Sequence, residues 1–222
     1  MDVGVFIFDT DYSINISQLA EELEQRGYES LFVPEHTHIP TSRRSPFPGG
    51  GELPKQYSHT LDPFVSLGFA AAATKKLKIG TGICLLPQRD PIVTAKSIAS
   101  LDLMSNGRFV LGLGGGWNVD EMENHGVTYK TRFSMMKEHV LAMKSLWVDE
   151  EAEFHGEFVN FDKSWAYPKP IQKPYPPILM GGETDYTLKR VVDYCDGWFP
   201  RGRGGFDAGE SMRRLKNMAD TS

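Results

Sequence analysis

Four places along the chain carry residue types suited to chemistry at neutral pH. The first is the pair Glu35 and His36, just after an apolar run. An imidazole titrates near neutral pH and suits general acid or base work, and a neighbouring carboxylate can position it or its ligand. His38 stands two residues on, so Glu35, His36 and His38 also form a candidate metal set. That spacing is unconvincing, because consecutive residues at a strand end point to opposite sides. The second place is Gly82 and Ile83, with Gln88 and Arg89 beyond. The third is the glycine run Gly114 to Gly116 with Trp117 and Asn118. The fourth is Gly181, Gly182, Glu183 and Thr184, which lead directly into a helical pattern. Small residues there let backbone N–H groups and a helix N-terminus approach an anion, which implies a phosphorylated ligand; the competing reading is a tight turn with Thr184 as an ordinary N-cap. Arg201 and Arg203 add charge to the same region or are simply solvated.

A scaffold that unites these places must bring together positions far apart in sequence. The expected strands are Val3 to Phe8, Ser30 to Val33, Leu77 to Cys84, Arg108 to Leu113, Ile178 to Met180, and Gly197 to Phe199, mostly short, nearly continuous apolar runs of the kind buried in a parallel sheet. Helices alternate with them. Asn15 caps one that carries Ile16, Leu19, Ala20 and Leu23 on one face, with Gly27 to end it. Asp62-Pro63 and Asp90-Pro91 each supply an N-cap followed by proline at the first helical position. Phe133, Met136, Val140, Met143 and Trp147 line one face of a long helix, where core packing is the expected role. Leu188, Val191, Val192 and Cys195 line another, and Asp207 caps a last one reaching about Ala219. Glu153 to Phe161 reads as a short hairpin around Gly156, followed by a proline-rich connector.

Repeated β-then-α elements imply parallel strands with right-handed crossovers, in a doubly wound sheet or a barrel. A dinucleotide fold needs GxGxxG after its first strand, whereas Asp9 and Thr10 stand there, and the later glycine cluster fails at its third glycine. A TIM (β/α)8-type barrel is therefore expected, with its functional residues at the C-terminal strand ends. Six units are visible in place of eight, so the last two βα units are read as lacking. The expected organisation is one domain over residues 1–222, with insertions at about 35–60 and 150–176. With first and last strands unpaired, self-association, such as a homodimer, is expected.

The 222 residues are 40% hydrophobic and 24% charged, with a formal net charge of -5. Such a chain folds, and its acidic balance disfavours nucleic acid or an anionic membrane surface as partner, leaving a small-molecule substrate. Cys84 and Cys195 form no CxxC pattern and are expected to be buried reduced thiols, without disulfide or zinc ribbon. No basic, apolar leader opens the sequence and no apolar run approaches the ~20 residues of a membrane span, so a cytoplasmic location is expected.

Four stretches, in order, resemble the luciferase-like monooxygenase superfamily, in particular its coenzyme F420-dependent (deazaflavin) oxidoreductase branch: SLFVPEH (Ser30 to His36), KIGTGICLLPQRDPIVTAK (Lys78 to Lys96), GRFVLGLGGGWNVDE (Gly107 to Glu121) and PPILMGGETDYTLKRVVDYCDGWFP (Pro176 to Pro200). The resemblance implies that Glu35 and His36 lie beside a cofactor ring, with His36 and Glu35 as catalytic residues. It implies that Gly82-Ile83 is a non-prolyl cis peptide backing that ring, that Asn118 helps to position ring or substrate, and that Gly181, Gly182, Glu183 and Thr184 hold a phosphate. The implied reaction is hydride transfer between coenzyme F420 and an organic substrate. Competing readings are an FMN-dependent monooxygenase using oxygen, a metal-dependent barrel hydrolase, and a non-catalytic ligand-binding or partner subunit.

Overall fold

The computed structural model describes residues 2–202 and 207–221. Arg203 lies outside them. Six strands form one parallel sheet: β1 (Gly4–Phe6), β2 (Ser30–Val33), β3 (Lys78–Thr81), β4 (Phe109–Leu113), β7 (Ile178–Gly181) and β8 (Gly197–Phe199), in the order β1-β2-β3-β4-β7-β8. The remaining two, β5 (Ala152–His155) and β6 (Asn160–Ser164), pair antiparallel as the expected hairpin. Helices α1 (Ile16–Gln25), α2 (Pro63–Ala73), α3 (Pro91–Met104), α5 (Arg132–Val148), α6 (Asp185–Tyr194) and α7 (Ala208–Asp220) occupy the expected places. A short helix, α4 (Val119–Asn124), was not legible as a separate element.

The helices start where the caps dictate. Asn15 accepts from Ser17 N and Gln18 N, Asp62 from Phe64 N and Val65 N, and Asp90 from Val93 N. Each carboxylate or amide thereby satisfies donors that the first turn leaves open. At the other ends, Glu24 of α1 accepts the N–H groups of Lys75, Lys76 and Leu77 just before β3. Arg108 bonds the carbonyls of Ala71, Thr74 and Leu77, which ties the end of α2 to the start of β3.

Side chains alternate across each strand, and the two faces of the sheet differ. On β4, Phe109, Leu111 and Leu113 are fully buried against the helices. The intervening positions Gly112 and Gly114 face inward, together with Gly80 of β3, whose place beside Phe32 a Cβ would fill. Phe32 of β2 and Phe199 of β8 lie with ring centroids 5.1 Å apart. Four strand spacings separate those strands, roughly 19 Å in a flat sheet, so the sheet must curl until its inner side chains meet. The result is a curled parallel half-barrel with β1 and β8 at its edges. Closure into an eight-stranded barrel does not occur among the described residues. No helix among them is long and apolar enough to cross a membrane.

The expected third strand stops early. Pairing ends at Thr81, the Gly82-Ile83 peptide is cis as the resemblance implies, and Cys84 rejoins β4 through an isolated bridge to Leu113. Ile83 consequently turns its side chain onto the inner face, in contact distance of the positions that Cβ atoms on Gly114 and Gly181 would take. Glycine at both positions is what admits it.

Candidate functional site

The C-terminal ends of β2, β3 and β4 bring His36, Gln88 and Asn118 to one rim of the half-barrel. His36 is buried, and its Nδ1 lies 2.8 Å from Oε2 of Glu121, a carboxylate with no exposed surface. Glu121 sits on α4, whose first turn is set by Asn118: the Asn118 side chain accepts from Glu121 N. The other Glu121 oxygen, Oε1, is buried without a hydrogen-bond partner among the described residues, and so are Asn118 Nδ2 and both amide atoms of Gln88. A Cβ at Gly116 would approach Gln88 Nε2, which places Gln88 against the β4 end. Unmade hydrogen bonds in buried groups cost roughly 1 to 3 kcal/mol each, so such a cluster persists only where a ligand or ordered water completes it.

Glu35 takes a different place from that expected. Its Oε2 accepts from Leu85 N at 2.7 Å and its Oε1 pairs with Arg89 at 2.5 Å, while Arg89 also reaches Asp62 at 2.7 Å. Glu35 thus faces the β3 end and fixes the backbone after Ile83, while His36, the next residue, faces the opposite way, toward α4. His38 is distant from both in function: its ring nitrogens contact Thr37 Oγ1 and Asn124 Nδ2. The three side chains of the metal alternative therefore have three separate sets of partners, and no group of three or more potential metal ligands occurs among the described residues.

An aromatic cage closes around His36. The rings of Tyr57 and Trp117 lie 5.3 Å and 5.8 Å from its imidazole, and Phe47 packs on both, at 5.2 Å and 6.2 Å. Phe47 and Tyr57 come from the segment 35–60 between β2 and α2, so that segment walls the site. Its anchor is Asp120, which accepts from Ser42 Oγ at 2.7 Å, Arg44 N at 3.1 Å and Ser45 Oγ at 2.6 Å. The hydroxyls of Ser42 and Ser45 hold the Asp120 carboxyl well below the usual carboxylate range. A depressed pKa contributes stability that is complete above the unfolded value, near pH 4, and is lost as the pH falls below it. Asp120→Asn is accordingly expected to melt below the parent at pH 7, with the gap narrowing as pH drops from about 4 to 3; a gap independent of pH in thermal melts would remove the anchor.

Cys84 is buried and its thiol is raised by burial and then by the charge of Glu35; Cys195 is pushed up to about 12, chiefly by burial. Cys84 is buried as expected, whereas Cys195 is only half-buried.

At the far end of the sheet, the 181–184 turn lies between β7 and α6. Gly182 has φ +121, in a region that side chains rarely adopt, and its carbonyl accepts from Trp198 Nε1 at 2.7 Å. Thr184 is the N-cap of α6, with its hydroxyl accepting from Thr187 N. Glu183 is paired with Arg201 at 2.6 Å, so Arg201 neutralises a carboxylate here. A helix N-terminus of this kind is a position that can receive an anion.

Of the expected residues, His36, Gly82, Ile83 and Asn118 converge on one rim. Gly181 joins them through Ile83, and Glu35 supports them from behind. Glu121 and Tyr57 were missed. The pattern Asn118-x-x-Glu121 was visible as a capping signal, but nothing local reveals that Glu121 meets a histidine 85 residues away.

The family model described as luciferase-like monooxygenase matches residues 1–222. The chain belongs to that family. An uncharacterized protein of Mycobacterium tuberculosis is 42% identical over 222 residues, covering 98% of this chain and 78% of the relative. The FMNH(2)-dependent dimethylsulfone monooxygenase of Pseudomonas putida is 31% identical over 152 residues, 67% of this chain and 40% of its own length. In fold, the chain is similar to an F420-dependent secondary alcohol dehydrogenase solved with an F420-acetone adduct, with TM-score 0.78 at 22% identity, over 99% of this chain and 64% of that one. The chain thus spans somewhat less than two thirds of that solved relative.

Proposed function

We propose that this chain is an oxidoreductase that binds a deazaflavin, coenzyme F420, on the inner face of its half-barrel and exchanges hydride between it and a small organic substrate. The observation that carries the reading is the buried His36–Glu121 pair beside unpartnered polar atoms of Gln88, Asn118 and Glu121. Together they present donors and acceptors to a flat heterocycle, whose edge is of that type. Ile83, admitted to the inner face by Gly114 and Gly181, and the Gly82-Ile83 peptide would back such a ring. Gly181, Gly182, Glu183 and Thr184 would hold its phosphate through the α6 N-terminus, Glu183 acting through backbone because its side chain is engaged by Arg201.

When bound, the cofactor supplies the two-electron chemistry. The chain supplies the rest. His36 holds or releases a proton through Nε2, the nitrogen not directed at Glu121, and Glu121 fixes the ring and its tautomer through Nδ1. Tyr57, Trp117 and Phe47 exclude water from that proton. Glu35 does not exchange protons in this scheme; it keeps the β3 end in place through Leu85 N and Arg89.

The second reading retains the site and replaces F420 by FMN, with oxygen as co-substrate; the identity with the Pseudomonas putida monooxygenase favours it. Titrating the protein with F420 and with FMN, each followed by absorbance, separates the two. Saturable perturbation of the F420 spectrum alone is the expected result. FMN binding with substrate-dependent oxygen uptake would favour the second reading, and binding of neither would overturn both.

A further inference from the structure

The 35–60 segment encloses an open cleft of ≈710 Å³, within the range of small-molecule sites. Its walls are largely apolar, including Ile39, Pro46, Phe47 and Leu53. Arg43 is the only cation among the residues that line it. Nη1 of Arg43 is buried without a hydrogen-bond partner, and Arg43 enters no ion pair among the described residues. The exposed carboxylate of Glu52 lines the same cleft but does not pair with it.

The conformation of Arg43 is imposed by its surroundings. Its φ is 48°, in the left-handed region, which costs a non-glycine residue about 1 kcal/mol or more. The cause lies on either side: Ser42, Arg44 and Ser45 are all bound to Asp120, and Arg44 also pairs with Glu123 at 2.5 Å. Arg43 is the one residue of that stretch with no such bond, the apex of a turn pinned to α4. The same helix carries Glu121, so the anchor that sets Arg43 also sets the partner of His36. Phe47 then joins the two regions, lining the cleft on one side and packing on Tyr57 and Trp117 of the His36 cage on the other.

From this we infer that the cleft is the substrate pocket and that Arg43 anchors a carboxylate, so the substrate class is an apolar carboxylic acid whose body reaches past Phe47 toward His36. One guanidinium matches a singly charged carboxylate in a two-pronged contact. A phosphate dianion would bring a second charge that the cleft does not balance, with Glu52 opposing it. The inference rests on the proposed oxidoreductase site but assigns a surface which that reading leaves without a role.

The test uses 4-phenylbutyrate and its neutral isostere 4-phenylbutanamide, titrated calorimetrically into the intact chain, with Arg43→Gly and Arg43→Gln as variants. Glycine accepts the left-handed backbone, so Arg43→Gly removes the guanidinium without adding strain. The acid is expected to bind the parent at least tenfold more tightly than the amide, and both variants to lose that preference, while F420 and FMN affinities stay within about twofold. If the parent binds neither probe, binds both equally, or if Arg43→Gly keeps the preference, the inference is wrong. It is equally wrong if cofactor affinity falls in parallel with the acid's, for then the cleft holds the cofactor's own anionic groups. Failure of the cofactor titrations in every protein would overturn the oxidoreductase reading and leave the acid preference to be read separately.

Discussion

His36→Ala is expected to lower turnover by a factor of roughly 10² to 10⁴, the usual contribution of a positioned acid or base, while cofactor affinity changes by no more than about threefold. The split follows from geometry. The imidazole is buried, is held on one nitrogen by Glu121 and is ringed by Tyr57 and Trp117, so its free nitrogen serves one place at the rim. In the proposed scheme cofactor binding depends instead on the inner face and the 181–184 turn. Glu121→Gln keeps a carbonyl oxygen that can accept from Nδ1, so it should retain the imidazole's orientation and lose roughly tenfold in kcat. Glu121→Ala frees the ring and should approach the His36→Ala value. Steady-state kinetics beside cofactor titration reads both numbers. Unchanged kcat in His36→Ala would remove the proton role, and equal loss in kcat and cofactor affinity would make His36 a binding residue.

Gly112→Ala is expected to destabilise the fold by about 3 kcal/mol and to lower Tm by roughly 6 to 12 °C. A Cβ on Gly112 would fall inside contact distance of the Thr81 carbonyl oxygen, where backbone cannot yield as a side-chain tip can. The same glycine's carbonyl accepts from Thr81 Oγ1 at 2.6 Å and from Cys84 N at 2.7 Å, the bonds on either side of Gly82-Ile83. Separating β3 from β4 at this point would therefore also displace the backing of the proposed ring, and cofactor affinity should fall with stability. Gly68→Ala is the control, since a Cβ there meets nothing and helix interiors prefer alanine, which predicts an unchanged or higher Tm. Thermal melts by circular dichroism decide: a Gly112→Ala protein melting within about 2 °C of the parent would refute the close approach.

Some of the site was legible because its signals are local. The alternation of apolar strands with capped helices needs only neighbours within four residues, and Asn15, Asp62, Asp90, Thr184 and Asp207 each cap the helix expected of them. The glycines after β3, β4 and β7 were legible for the same reason: an absent side chain is visible in sequence. Adjacent residues were harder to sort. Glu35 and His36 read as one catalytic pair, yet the strand end sends them to different partners, Arg89 and Glu121.

The sequence by itself determined the parallel α/β class and the order and extent of most elements. Tertiary structure alone decided which residues meet. The curl of the sheet brings Phe32 against Phe199 across four strand spacings, and the same packing sets Glu121 beside His36 and turns Arg43 into its cleft. Such contacts depend on the packed positions of elements tens of residues apart, and no hydrogen-bonding rule within a turn of helix or a pleat of strand encodes them. A capping carboxylate is fixed by residues three positions away; the partner of His36 is fixed by the fold.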